Sequence, residues 1–155
     1  MGELYLRKAK MQDVRGIHGM LMQCSHRGEL LPRSLNDLYG KLRDFYVLAS
    51  RDDEVVHGCC ALAICWEDIA EIRSLAVARE LQKEGWGRRL AEACMSEAVL
   101  LGVYRVFTLT YVPGFFARLG FEEVAKDLLP QKIWADCLNC PKFPECDEIA
   151  MLLTL

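Results

Sequence analysis

The 155-residue chain reads as an α+β fold in one domain spanning residues 1–155. Three observations predict it. Short apolar runs joined by polar turns fill the first half, the period of the apolar pattern changes to a helical one after Gly85, and no linker, repeat or low-complexity segment interrupts the chain. Apolar residues make up 52% and charged residues 26%, the balance of an ordinary globular chain of a length that suits a single core.

The elements follow in order. Leu4-Tyr5-Leu6 with Arg7 forms an opening strand. Val14, Ile17, Met20, Leu21 and Cys24 recur at helical spacing over 11–25. Ser34 and Asn36-Asp37 start a second helix, running to about Arg43. Residues 45–50 and 55–65 are strands, and the polar turn 51–54 between them makes an antiparallel hairpin. Residues 69–77 form a third strand of this group. Trp86, Leu90, Ala93, Cys94, Ala98 and Leu101 then lie on one helical face, and Gly102 supplies a stop. Strands at 103–110, 121–125 and 149–155 complete the pattern, with a short Pro-initiated helix at 113–119 and a long loop at 130–147.

Bulk properties exclude several functions. A formal net charge of −3 argues against a general nucleic-acid binder. No apolar run approaches the ~20 residues that span a bilayer, so no membrane partner is expected. The start MGELYLRKAK lacks both the apolar centre of a signal peptide and the Ser or Thr of a myristoylation motif at position six, which leads to an expected cytoplasmic location. There are eight cysteines. Cys24, Cys59, Cys60, Cys65 and Cys94 are scattered, most of them in apolar contexts that suit small buried hydrophobes.

The stretch Gln82-Lys83-Glu84-Gly85-Trp86-Gly87-Arg88 lies between a strand and a helix. The unbonded amides of a first helical turn and the helix dipole attract anions, and glycines let a diphosphate approach the backbone. The dinucleotide-binding pattern fails on glycine spacing, and the phosphate-loop pattern lacks its Lys-Ser or Lys-Thr. A plain glycine turn is the bland alternative.

Leu75-Ala76-Val77 followed by Gln82-x-x-Gly85-x-Gly87 resembles the acetyl-coenzyme A signature of the GNAT superfamily of N-acetyltransferases. Tyr111-Val112-Pro113-Gly114-Phe115-Phe116-Ala117-Arg118-Leu119-Gly120-Phe121 resembles that superfamily's second signature. The resemblance implies a mixed, mostly antiparallel sheet flanked by helices, with acetyl-coenzyme A as co-substrate. It further implies that Leu75, Ala76 and Val77 pair with the pantetheine arm, and that the backbone of Gln82, Lys83, Glu84, Gly85, Trp86, Gly87 and Arg88 surrounds the pyrophosphate. Many members carry His-Pro or Asp-Pro after the strand, where this chain has Ala78-Arg79-Glu80.

Acetyl transfer to an amine needs a proton acceptor and a donor for the departing thiolate. Glu71 and Arg73 project to one face of their strand. The resemblance implies that Glu71 is the general base, directly or through water. Arg73 either weakens that base by charge proximity or is engaged by a substrate carboxylate. An ordinary ion pair on a solvated strand face is the alternative. Tyr111, just past its strand, is in the superfamily's position for protonating the thiolate; a structural tyrosine is the alternative there.

Two further segments, Leu30-Leu31-Pro32-Arg33-Ser34-Leu35 and residues 129–148, resemble the short bacterial amino-acid N-acetyltransferases that make N-acetylglutamate at the head of arginine biosynthesis. The acceptor implied is L-glutamate, whose two carboxylates call for charged partners; Arg33, Arg73 and Lys132 are the candidate cations, with Ser34 adding a hydroxyl. Surface solvation is the commoner fate of a lone basic residue such as Arg33 or Lys132. Cys137-x2-Cys140-x5-Cys146 offers three thiolates at zinc-ligand spacing, to be completed by Asp136, Asp147 or Glu148; a disulfide and packed reduced thiols are the other readings. Transfer to another amino acid or small amine, and a non-catalytic acetyl-coenzyme A-binding or redox-sensing module, are the competing functions. A homodimer is the assembly to test.

Overall fold

The computed structural model describes residues 2–26, 33–129 and 148–155. Among them are seven strands and four α-helices. The strands are β1 Leu4–Lys8, β2 Phe45–Ser50, β3 Val56–Trp66, β4 Ile69–Val77, β5 Arg105–Thr110, β6 Glu122–Glu123 and β7 Ile149–Thr154. The helices are α1 Val14–His26, α2 Leu35–Gly40, α3 Trp86–Leu100 and α4 Pro113–Arg118. No described helix is long and apolar enough to cross a membrane. Contacts cluster into two compact units, Met1–Leu62 with Ser74–Cys94, and Ala63–Arg73 with Met95–Leu155.

In the first unit the strand order is β1-β2-β3-β4. The hairpin read from the sequence is present: β2 runs antiparallel to both β1 and β3, pairing Val47 with Cys59 and Leu48 with Gly58. Alternation along these strands separates two faces. Val47, Cys59, Ala61 and Ala76 join Val14, Ile17, Leu21 and Cys24 of α1 and Leu38 of α2 in one apolar cluster. On the other face, a Cβ at Gly58 would lie 3.2 Å from Leu48 Cβ, Leu90 Cδ1 and the Ala76 carbonyl oxygen. That glycine lets α3 approach the sheet closely.

The entry to α1 is fixed by an ion pair between half-buried Arg7 and buried Asp13. Arg7 reaches Asp13 with both terminal nitrogens, at 2.6 and 3.0 Å, while Asp13 also accepts from the Lys10 amide at 2.7 Å. Burial alone would raise the Asp13 carboxyl, but the Arg7 hydrogen bonds, the Lys10 amide and the nearby positive charge outweigh it and hold it below the usual aspartate range.

In the second unit the order runs from β4 to β5, β7 and β6. β4 and β5 are parallel, and β5–β7 and β7–β6 are antiparallel, which makes the sheet mixed and mostly antiparallel. Ile69, Phe107, Leu129 and Ala150 form its cluster. The Leu119-Gly120-Phe121 run acts as a helix stop: Gly120 has φ +100°, and the Phe121 amide donates back to Phe116 O at 3.1 Å. Phe116 packs edge-on against both Phe115 and Phe121.

Several boundaries differ from expectation. The second helix ends at Gly40, and a 3-10 turn at Leu42–Asp44 replaces its last turn. The 103–110 strand begins only at Arg105, because Val103 and Tyr104 still belong to the turn that closes α3: the Val103 amide bonds Ala98 O. The strand expected at 121–125 contracts to two residues, since Phe121 serves the helix stop. Cys24, Cys59, Cys60 and Cys94 are buried, as small hydrophobes would be.

Candidate functional site

β4 carries the chemistry-bearing residues of the second unit. Glu71 and Arg73 share a face, and Arg73 Nη1 lies 3.6 Å from Glu71 Oε1, with each side chain only 11% exposed. Glu71 is buried and Arg73 half-buried, so the pair is largely withdrawn from water, unlike the ordinary ion pair of a solvated strand face. Between them, the Ile72 carbonyl accepts a hydrogen bond from Thr108 Oγ1 at 2.9 Å. One residue beyond Arg73, Ser74 takes φ +56°, a left-handed conformation inside a strand. For a non-glycine residue this stores on the order of 1–2 kcal/mol.

Tyr111 follows β5 and is half-buried. Thr110 Oγ1 accepts the Val112 amide at 2.9 Å and shapes the turn that carries Tyr111 towards Pro113, the first residue of α4.

In the first unit, Leu75, Ala76 and Val77 end β4, with Ala76 buried in the apolar cluster and its two neighbours half-buried. The departure Ala78-Arg79-Glu80 is accommodated by a 3-10 turn over Arg79–Leu81, anchored by the Ala78 amide on His57 O at 2.8 Å. Gln82 bends back so that its Nε2 donates to Val77 O at 3.1 Å, tying both ends of this turn together.

Lys83 and Gly85 then adopt φ +68° and +88°. Residues 82–85 are exposed, and a Cβ at Gly85 would meet nothing within 4 Å. The first helical bond of α3 runs from the Arg89 amide to Gly85 O, so the amides of Trp86, Gly87 and Arg88 precede the helical ladder. This backbone fits an anion: amides ahead of the helical ladder, preceded by a loop open to close approach. The arginines are turned elsewhere, Arg88 to Glu92 at 3.6 Å and Arg89 over the Trp86 ring at 4.6 Å. The site's electrostatics thus come from the backbone more than from these two side chains.

Arg33 and Ser34 sit at the start of α2. Ser34 Oγ accepts the Asp37 amide at 3.0 Å as an N-cap, and Arg33 pairs with Asp37 at 3.5 Å, as Lys41 does at 3.1 Å. Both are engaged locally, in the first unit, whereas Glu71, Arg73 and Tyr111 belong to the second. Lys132 and the cysteines Cys137, Cys140 and Cys146 lie outside the described residues. Among the described residues no three His, Cys, Asp or Glu side chains are grouped to hold a metal.

Two features escaped the sequence: the Gln82 clasp and the Thr108 bond to Ile72. A threonine in an apolar strand beside the signature is the only local sign of the second.

Comparison with known proteins bears on this geometry. A model of the acetyltransferase (GNAT) domain matches residues 41–123. An uncharacterized N-acetyltransferase of Chlorobaculum tepidum is 45% identical over 97% of this chain and 96% of its own length. An amino-acid acetyltransferase of Mycobacterium tuberculosis is 35% identical over 77% of this chain and 68% of its own. Among solved structures, N-acetylglutamate synthase of Neisseria gonorrhoeae complexed with coenzyme A and N-acetyl-glutamate superposes with a TM-score of 0.87 at 27% identity. That match covers 100% of this chain but 36% of the synthase, so the chain spans about a third of that protein's length.

Proposed function

The chain belongs to the GNAT acetyltransferase family and is an N-acetyltransferase, and from that premise we propose that it moves the acetyl group of acetyl-coenzyme A to the α-amino group of L-glutamate. The observation that carries the reading is the pairing of buried Glu71 with half-buried Arg73, two residues ahead of Leu75-Ala76-Val77 on the same strand. A carboxylate and a cation shielded from water at that position can take a proton and hold an anion. The N-acetyl-glutamate in the Neisseria synthase and the name of the mycobacterial relative support an amino-acid acceptor.

The exposed loop at 82–85 and the α3 amides hold the pyrophosphate, with the left-handed Gly85 giving it room. Leu75, Ala76 and Val77 present backbone to the pantetheine arm. Glu71 receives the proton of the substrate ammonium, directly or through one water, leaving a lone pair on nitrogen. That nitrogen bonds to the thioester carbonyl carbon as the carbon–sulfur bond breaks, Tyr111 gives its hydroxyl proton to the departing thiolate, and the second proton of the nitrogen leaves through water to restore the Tyr111 phenol, so the amide forms neutral. The products are N-acetylglutamate and coenzyme A. Arg73 meets one substrate carboxylate. Arg33, Ser34 and Lys132 are the further candidates in this reading for partners of the substrate's carboxylates.

A thiol-release assay with a panel of amino acids and small amines tests it. L-Glutamate is expected to be the best acceptor. Turnover of another amine with none of glutamate overturns the acceptor, and cofactor binding without any turnover favours a sensing module instead. Zinc analysis of the purified protein decides the Cys137, Cys140 and Cys146 reading: stoichiometric metal supports a structural site, and its absence leaves thiols or a disulfide.

A further inference from the structure

The parallel ladder between β4 and β5 runs through Ile69↔Arg105, Ala70↔Val106 and Glu71↔Phe107. Both strands continue beyond it, β4 to Val77 and β5 to Thr110, where β5 still pairs with β7. Just past the ladder a buried backbone carbonyl of β4 needs a donor that is no longer an amide of the neighbouring strand. Ile72 is that residue, fully buried, and the donor is the hydroxyl of Thr108, itself 3% exposed. A side chain thus replaces a ladder bond in a place closed to water.

The residues on either side of the pinned Ile72 peptide are Glu71 and Arg73, and the left-handed Ser74 lies two residues on. On its β5 side this short piece of strand, between the ladder's end and a kink, has lost the ladder's restraint, and rotation of one peptide would swing both flanking side chains. Catalytic geometry tolerates little such movement.

We infer that Thr108 is a positioning residue for acetyl transfer, its hydroxyl locking the Ile72 peptide so that Glu71 and Arg73 keep their orientation toward the acceptor. The inference rests on the proposed roles of Glu71 and Arg73. It explains why a hydroxyl-bearing residue occupies a strand position otherwise suited to valine.

The experiment compares Thr108→Val, which keeps the shape and removes the donor, with Thr108→Ser, which keeps the donor. Steady-state kinetics are measured against acetyl-coenzyme A and against whichever amine the acceptor panel selects. Thr108→Val is expected to lower kcat/KM for the acceptor about tenfold, the scale of one hydrogen bond, with the acetyl-coenzyme A KM within about twofold. Thr108→Ser should restore the acceptor term. Parental acceptor kinetics in Thr108→Val overturn the inference, as do equal losses in the Val and Ser variants, since the loss would then not follow the hydrogen-bond donor. Should Thr108→Val fail to fold, Thr108→Cys, a weak donor, must show the same acceptor-selective loss; parental kinetics there overturn it equally. Glu71→Gln separates the two levels. If that variant keeps parental rates across pH, the base assignment fails; if it loses rate while Thr108→Val is parental, Thr108 alone is refuted.

Discussion

Arg73 Nη1 stands 3.6 Å from Glu71 Oε1, two residues apart on one strand face, and each side chain is 11% exposed. In water such a pair contributes little, but away from water each charge depends on its surroundings. Arg73→Ala is therefore expected to raise the acceptor KM several-fold more than the acetyl-coenzyme A KM, with Arg73→Lys intermediate because it keeps charge and loses the planar fork. Equal changes in both KM values would remove Arg73 from the acceptor side. Glu71→Gln should slow the chemical step by about 10²-fold or more and flatten the acid limb of the pH–rate profile.

Gly85 and Gly102 make a matched pair for testing the loop. Both have positive φ, +88° and +80°, and at neither would a Cβ meet an atom within 4 Å. Each substitution to alanine should cost about 1–2 kcal/mol through backbone conformation alone. Only Gly85→Ala should also raise the acetyl-coenzyme A KM, since only there does the proposed ligand need the space. Indistinguishable kinetics in the two variants would refute the pyrophosphate assignment, with thermal melts serving to match their stability losses.

Asp13 provides an acid-sensitive lock. Its carboxyl lies below the ordinary aspartate value in the folded chain, so its contribution to stability is fully present above the unfolded value of about 4. That contribution is lost as pH falls from there through the lower folded value. Asp13→Ala should cost about 1–3 kcal/mol near neutral pH, the scale of lost hydrogen bonds to a charged group, because the half-buried Arg7 keeps Glu54 at 3.7 Å and the Tyr5 hydroxyl. Urea midpoints measured between about pH 6 and pH 2 should fall more steeply for the parent than for Asp13→Asn. Parallel curves would show that Asp13 carries no linkage.

Cys59 and Cys60 are fully buried, and their thiols are pushed up, Cys59 by burial and Cys60 by its hydrogen bond with Cys94 together with burial. Thiolate is the reactive form, so neither should react with an alkylating reagent in the native protein. Peptide mapping after labelling checks this: both should gain label only on denaturation, and native labelling of either would point to opening of the strand–helix packing.

Much of the fold was legible because it depends on local terms. The change from a period of two to one of 3.6 located β1 to β4 and α3, and Gly102 and Gly120 marked helix ends because left-handed backbone favours glycine. Ser34 announced a helix start and serves as that cap. The short β6 was overestimated, since Phe121 has the composition of a strand residue but is held by α4. The left-handed Ser74 and Lys83 had no sign in the sequence, because only surrounding structure keeps such residues there.

The candidate site divides along the same line. The sequence by itself determined a glycine loop between strand and helix, a glutamate and an arginine on one strand face, and a tyrosine at a strand end, all of which follow from chain order and side-chain alternation. Only the tertiary structure decided that the Glu71–Arg73 pair is largely withdrawn from water, that Arg33 is engaged by Asp37, and that Gln82 and Thr108 brace the backbone on either side of Ser74. The Arg33–Asp37 and Gln82–Val77 contacts are short in sequence but compete with other partners, whereas burial depends on atoms far apart in the chain, and Thr108 reaches Ile72 across 36 positions. No local pattern carries information over that separation; the packed sheet does.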